Sequence, residues 1–133
     1  MSKVAVVQTA SVLLDRERTV EKVVSLIQEA ATEGAKLILF PEALISGYPR
    51  YLGFGAVVGS RSAQGRRQFQ EYWDSAVEVP SAATLAIGNA ARAANAFVAV
   101  GIIERDATFQ AGRSIAPFCF SRRPGIFSGS IAS

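Results

Sequence analysis

The sequence predicts an α/β domain organised around parallel strands, and three observations carry that prediction. Short apolar, β-branched runs occur at Lys3 to Gln8, Leu37 to Phe40 and Phe97 to Ile103, each too short for a comfortable helix. A segment of helical period joins the first two, which is the strand–helix–strand order of a parallel pair with a right-handed crossover. An alanine-rich helical segment precedes the third.

Each element has its own local reasons. Lys3 to Gln8 reads as a first buried strand. Asp15 is a plausible N-cap, after which Val20, Val23, Val24, Ile27, Ala30 and Ala31 recur at helical spacing. Gly34 supplies a left-handed stop just past Glu33, and the strand Leu37 to Phe40 follows. Ser62 can cap a helix running to about Ser75, whose Phe69, Tyr72, Trp73 and Ala76 share one face; Tyr72 and Trp73 read as packing anchors. Pro80 and Ser81 announce another helix, Ala82 to Ala94, stopped near Asn95. Phe97 to Ile103 is then a third buried strand.

Composition narrows the function. At 133 residues the chain is one domain or part of one. Half of it is apolar and 19% is charged, the balance of a globular chain rather than a disordered one. The longest apolar stretch among the strands, Ala96 to Ile103, is far below the roughly 18 residues of a membrane span. The N-terminal apolar run reaches Gln8 and Thr9 before it attains the length of a secretory signal. A cytoplasmic protein with no membrane partner is expected. The formal charge of +3 comes from Arg113, Arg122 and Arg123, which lie beyond the last acid, Asp106, so no nucleic-acid partner is expected either. The lone cysteine, Cys119, excludes an internal disulfide. The absence of histidine removes Ser-His and Cys-His catalysis and most zinc sites; neither a metal nor a cofactor is expected.

Chemistry concentrates at Phe40-Pro41-Glu42. An apolar strand there stops at a proline and is followed at once by a carboxylate, placing Glu42 at the C-terminal tip, the edge of an open α/β sheet where ligands bind. Such a residue reads either as a solvated strand-end acid or as a general acid or base. From Ser46 to Ser62 the chain turns to Gly, Pro, Tyr and Arg without a period, a functional or flexible loop.

Phe40-Pro41-Glu42, then Ser46-Gly47-Tyr48-Pro49-Arg50, and later Gly53-Phe54-Gly55-Ala56-Val57-Val58-Gly59-Ser60-Arg61 resemble the N-terminal third of a nitrilase, in the carbon–nitrogen hydrolase superfamily. Tyr72-Trp73 and Val77-Glu78-Val79-Pro80 add to the likeness, which covers about residues 4–106. The resemblance implies a four-layer α-β-β-α sandwich, of which this chain would hold one incomplete half. It also implies a Glu-Lys-Cys catalytic set acting on a small-molecule nitrile, with no metal or organic cofactor, in a self-associating protein. By that resemblance Glu42 is the general base, and Tyr48 would contact substrate at the pocket mouth. Arg50 would shape that mouth or pair with a surface acid. An amidase of the same superfamily, or a non-catalytic self-associating α/β module, is the alternative.

The rest of the set has no counterpart. No lysine follows Lys36, and Cys119, between Phe118 and Phe120, has no neighbour to lower its pKa. Residues 1–110 are therefore expected to form the N-terminal part of a nitrilase domain, and 111–133 a non-homologous, disordered tail that reads as neither helix nor strand. With permitted synonymous codons, the shifted frame from Ala111 onward spells G-G-T-L-Y-C-T-V-L-F-F-S-P-A-G-D-F-L-G-K-H-R-K. That string resembles the nitrilase region leading into the catalytic lysine. It implies a reading-frame slip near Gln110, early termination, and a truncated, inactive product.

Overall fold

The computed structural model describes residues 2–47, 62–106, 113–120 and 126–128. In chain order the elements are β1 (Lys3–Val6), α1 (Arg16–Thr32), β2 (Ala35–Leu39), α2 (Ala63–Ser75), α3 (Ala82–Ala94), β3 (Phe97–Arg105), β4 (Arg113–Phe120) and β5 (Ile126–Ser128). They form a five-stranded sheet in the order β1-β2-β3-β4-β5. The first three strands pair in parallel, and β4 and β5 join antiparallel. This is the α/β class expected from the strand–helix–strand order.

The helices begin and end where local chemistry directs. The Asp15 carboxylate accepts the Arg18 N–H at 2.9 Å to cap α1, and Gly34 takes up φ 83° beyond its end, a conformation that costs a glycine little. Ser62 Oγ accepts the Gly65 N–H at 3.0 Å to cap α2. Asn95 closes α3 in the left-handed region at φ 49°, where asparagine is the best-tolerated residue after glycine.

Strand alternation then separates the two faces of the sheet. Ala5, Ile38 and Val98 share one row across β1, β2 and β3. They pack into a core with Val20, Val23 and Ile27 of α1 and Ile87, Ala90 and Ala91 of α3. The neighbouring rows, Val4–Leu37–Phe97 and Val6–Leu39–Ala99, point the other way, and there Val4 is 51%, Val6 72% and Phe97 50% exposed.

Three expectations need correction. The first strand is not buried, because it is the edge strand and, among the described residues, only one of its faces meets helices. Phe69 does not share the buried face of α2: it is exposed, while Tyr72 and Ala76 pack with Ala43 and Ile103. Arg113–Phe120 is a strand, paired along its length with Val98–Arg105, so prolines and arginines there do not prevent extension. An antiparallel neighbour accepts a proline where ladder bonding is not demanded of its nitrogen.

Candidate active site

The β2–β3 ladder does not stop at Leu39. The Phe40 N–H donates to the Ala99 carbonyl at 2.9 Å and the Gly101 N–H to the Pro41 carbonyl at 3.2 Å. Then the Ile45 N–H donates to the Gly101 carbonyl, and the Ile103 N–H to the Ile45 carbonyl, both at 3.2 Å. Pro41 and Ile45 thus grip the same residue of β3 from either side. Glu42, Ala43 and Leu44 loop out between them as an enlarged β-bulge.

The bulge is anchored from below and leaves one side chain free. Leu44 and Ile45 enter the main core, and Ala43 lies under Tyr72, Ala76 and Ile103. Glu42 is exposed. The backbone just after it is strained: Ala43 has φ 50° and Ser46 φ 86°. Non-glycine residues held in that region cost on the order of 1–3 kcal/mol each and persist only where the surroundings over-determine them.

Those surroundings are visible. The buried Ser46 hydroxyl donates to the Ser75 carbonyl, and the Leu14 N–H donates to the Ser46 carbonyl at 3.3 Å. Arg16 Nη1 donates to the Asp74 and Ala76 carbonyls at 3.1 and 2.9 Å, holding the end of α2 against the start of α1. The Val77 N–H bonds the Ile103 carbonyl at 2.8 Å, and the Arg105 N–H bonds the Val77 carbonyl at 2.9 Å. The side of β3 next to β2 is therefore completed by the bulge and then by the segment after α2. A solvated carboxylate on such a support is a proton acceptor with a fixed origin, the requirement for general-base work.

The other residues of interest are dispersed. Tyr48, Arg50 and the glycine-rich run Gly53 to Arg61 lie outside the described residues. Cys119 is a β4 position, in register with Ala99. Lys3 pairs with Glu33 at 3.5 Å, Lys22 donates to the Ala10 carbonyl, and Lys36 sits at the start of β2, away from its tip. A cavity of about 340 Å³ lies elsewhere, between the starts of α1 and α3. Its arginines already have partners: Arg16 Nη2 meets Glu17 at 2.7 Å and Arg105 Nη2 meets Glu78 at 2.7 Å. The guanidinium of Arg16 holds the Glu17 carboxyl below its ordinary pKa, chiefly by hydrogen bonding.

Sequence reasoning found Glu42 but not its supports. Ser46 was legible only as part of a loop, and Arg16 only as a helix residue. Gly101 carried a signal, since an isolated glycine inside an apolar strand marks a bulge or a close backbone approach.

Comparison with known proteins bears on this site. The family model described as carbon-nitrogen hydrolase matches residues 3–119. The chain belongs to the carbon–nitrogen hydrolase family. It is 43% identical over 104 residues to an aliphatic nitrilase of Sinorhizobium fredii, an alignment covering 78% of this chain and 34% of that protein. It is 42% identical over 106 residues to an arylacetonitrilase of Trametes versicolor, covering 79% and 33%. The chain thus spans about a third of the length of the curated relatives it matches. Among solved structures, an amidase from Nesterenkonia sp. superposes with a TM-score of 0.63 at 17% identity, covering 95% of this chain and 40% of that one. A carbon-nitrogen hydrolase from Helicobacter pylori G27 superposes with a TM-score of 0.54 at 15% identity, covering 94% and 37%. Those two likenesses concern the fold, which is that of the hydrolase family.

Proposed function

We propose that this chain carries the glutamate-bearing part of a nitrilase active site, with Glu42 as general base. In the reaction, a cysteine thiolate adds to the nitrile carbon to give a thioimidate; water then releases ammonia and, in a second hydrolytic step, the carboxylic acid. Glu42 would take the thiol proton and later activate water, while a lysine stabilises the developing charge. The observation that supports this reading is the anchored, strained bulge that presents Glu42 at the tip of β2. The identity to an aliphatic nitrilase and an arylacetonitrilase favours nitrile over amide as substrate. Tyr48 would line the pocket mouth, and a cytoplasmic, self-associating protein accompanies the reading.

The lysine and the nucleophile are, on this reading, contributed by sequence that the 133 residues do not contain, because Lys3, Lys22 and Lys36 are engaged or distant and Cys119 stands between two phenylalanines in the sequence, with no activating residue beside it. On this reading the family match through residue 119 runs past the slip, with residues 1–110 the in-frame, family-derived part and 111–133 the product of a slipped frame. Sequencing the coding DNA through this region tests the slip; codons incompatible with the shifted string would refute it.

A hybrid tests the role of Glu42. Residues 3–106, placed in the corresponding part of the Sinorhizobium nitrilase, are expected to support ammonia release from nitriles. Glu42→Gln in that hybrid should lower kcat by about 10²–10⁴-fold, the usual contribution of a positioned base. Full activity in Glu42→Gln would remove the assignment, and hydrolysis of amides in place of nitriles would favour the amidase alternative. The 133-residue chain alone is expected to release no ammonia.

A further inference from the structure

We propose that Gly101 is the positioning residue for Glu42: its missing side chain is the seat on which the bulge rests. A Cβ built on Gly101 would stand 2.5 Å from the Ala43 nitrogen, 2.6 Å from the Glu42 Cα and 2.7 Å from the Pro41 carbonyl oxygen. All three are backbone atoms, so no rotamer change relieves the contact, and close-packed surroundings leave the bulge only the option of lifting.

The glycine is not there for its dihedral freedom, since among the described glycines only Gly34 and Gly47 take positive φ. The demand is for space. Its neighbours in β3 all carry side chains: Val98, Val100 and Ile102 enter the core beneath the helices, while Ala99 and Ile103 flank it on the other side of the strand. The gap is one residue wide and coincides with Glu42. Because Gly101 also donates to Pro41 and accepts from Ile45, the chain on both sides of the glutamate is tied to the residue that supplies the gap. Lifting the bulge therefore moves the Glu42 Cα directly, and a misplacement of about 1 Å in a reacting group can cost on the order of 10²-fold in rate.

This inference rests on the reading of Glu42 as the base, but its test does not use turnover. In a ¹³C-labelled 133-residue chain, the Glu42 carboxyl resonance is identified by its loss in Glu42→Gln. Gly101→Ala is expected to shift that resonance while leaving the Glu33 resonance in place. Ala99→Val, on the same strand and face, is expected to leave Glu42 unmoved. An unchanged Glu42 signal in Gly101→Ala, or an equal change in Ala99→Val, overturns the proposal. If Gly101→Ala does not fold, amide exchange in the unsubstituted chain decides: the Gly101 and Ile45 N–H groups should be protected as strongly as that of Phe40, and exchange at the rate of an open peptide would overturn the seat. Failure of the hybrid to hydrolyse nitriles would remove the catalytic role of Glu42 without altering either readout.

Discussion

The two faces of the sheet differ although the same strands build both. On one, Ile38 and Val98 are sealed beneath α1 and α3; on the other, one residue along, Val4, Val6 and Phe97 stand half or more exposed. The difference teaches that hydrophobic character alone does not bury a residue. The sealed face owes its cover to local patterning, because α1 and α3 are connections between neighbouring strands. Among the described residues, the open face meets only α2 at its far end, through Tyr72 and Ala76. In the α-β-β-α sandwich that the family resemblance implies, a second sheet would lie on that face at about 10 Å.

The contrast can be broken most sharply at the core row. Ile38→Ala should destabilise the chain by about 2–5 kcal/mol, because a fully buried isoleucine leaves a cavity. Val4→Ala, one strand away on the open face, should stay within about 0.5 kcal/mol; urea denaturation measures both, and equal losses would mean that the open face is covered in solution. A second, smaller effect sharpens the same point. Replacing Val6 and Phe97 by threonine and serine should leave stability nearly unchanged but, if the chain self-associates as proposed, weaken that association, since exposed apolar patches drive it. Light scattering at rising concentration reads this out, and undiminished association would place the contact elsewhere.

The smallest effect concerns the edge of the covering layer. Arg16 lowers the Glu17 pKa in the folded chain, so the pair stabilises above the ordinary carboxylate pKa and loses that contribution as pH falls through the lowered folded value. Glu17 is exposed while Arg16 is only partly so, and solvent screening at the carboxylate keeps the effect slight. Glu17→Gln should flatten that part of the acid dependence of thermal unfolding, and an unchanged curve would show the pair to be energetically silent.

Most of the covered half was legible in the sequence, because its causes are local. Asp15, Gly34 and Asn95 announce helix ends by their own backbone chemistry, and the spacing of Val20, Val23 and Ile27 names the buried stripe. The exposure of Val4 and Val6 was not legible, since a strand's own residues do not say whether it lies at an edge. Nor was β4, whose extension depends on pairing with β3 and not on its own pattern. At the site, Glu42 was found from the end of an apolar run. The bulge that holds it was not, because Gly101 is far from Glu42 in the chain, and only the ladder bonds to Pro41 and Ile45 bring them together.

The bulge also counts. Pro41 and Ile45 bond the same residue of β3, so the chain between them is a whole number of residues fixed by the ladder. With one residue more or fewer, either the loop absorbs the change or Ile45 slips one place in the ladder, and a slip would turn outward a side chain that is now fully buried, since strand alternation has a period of two. Exchange of one amino acid between Pro41 and Ile45 leaves that count intact, whereas insertion or deletion there changes it.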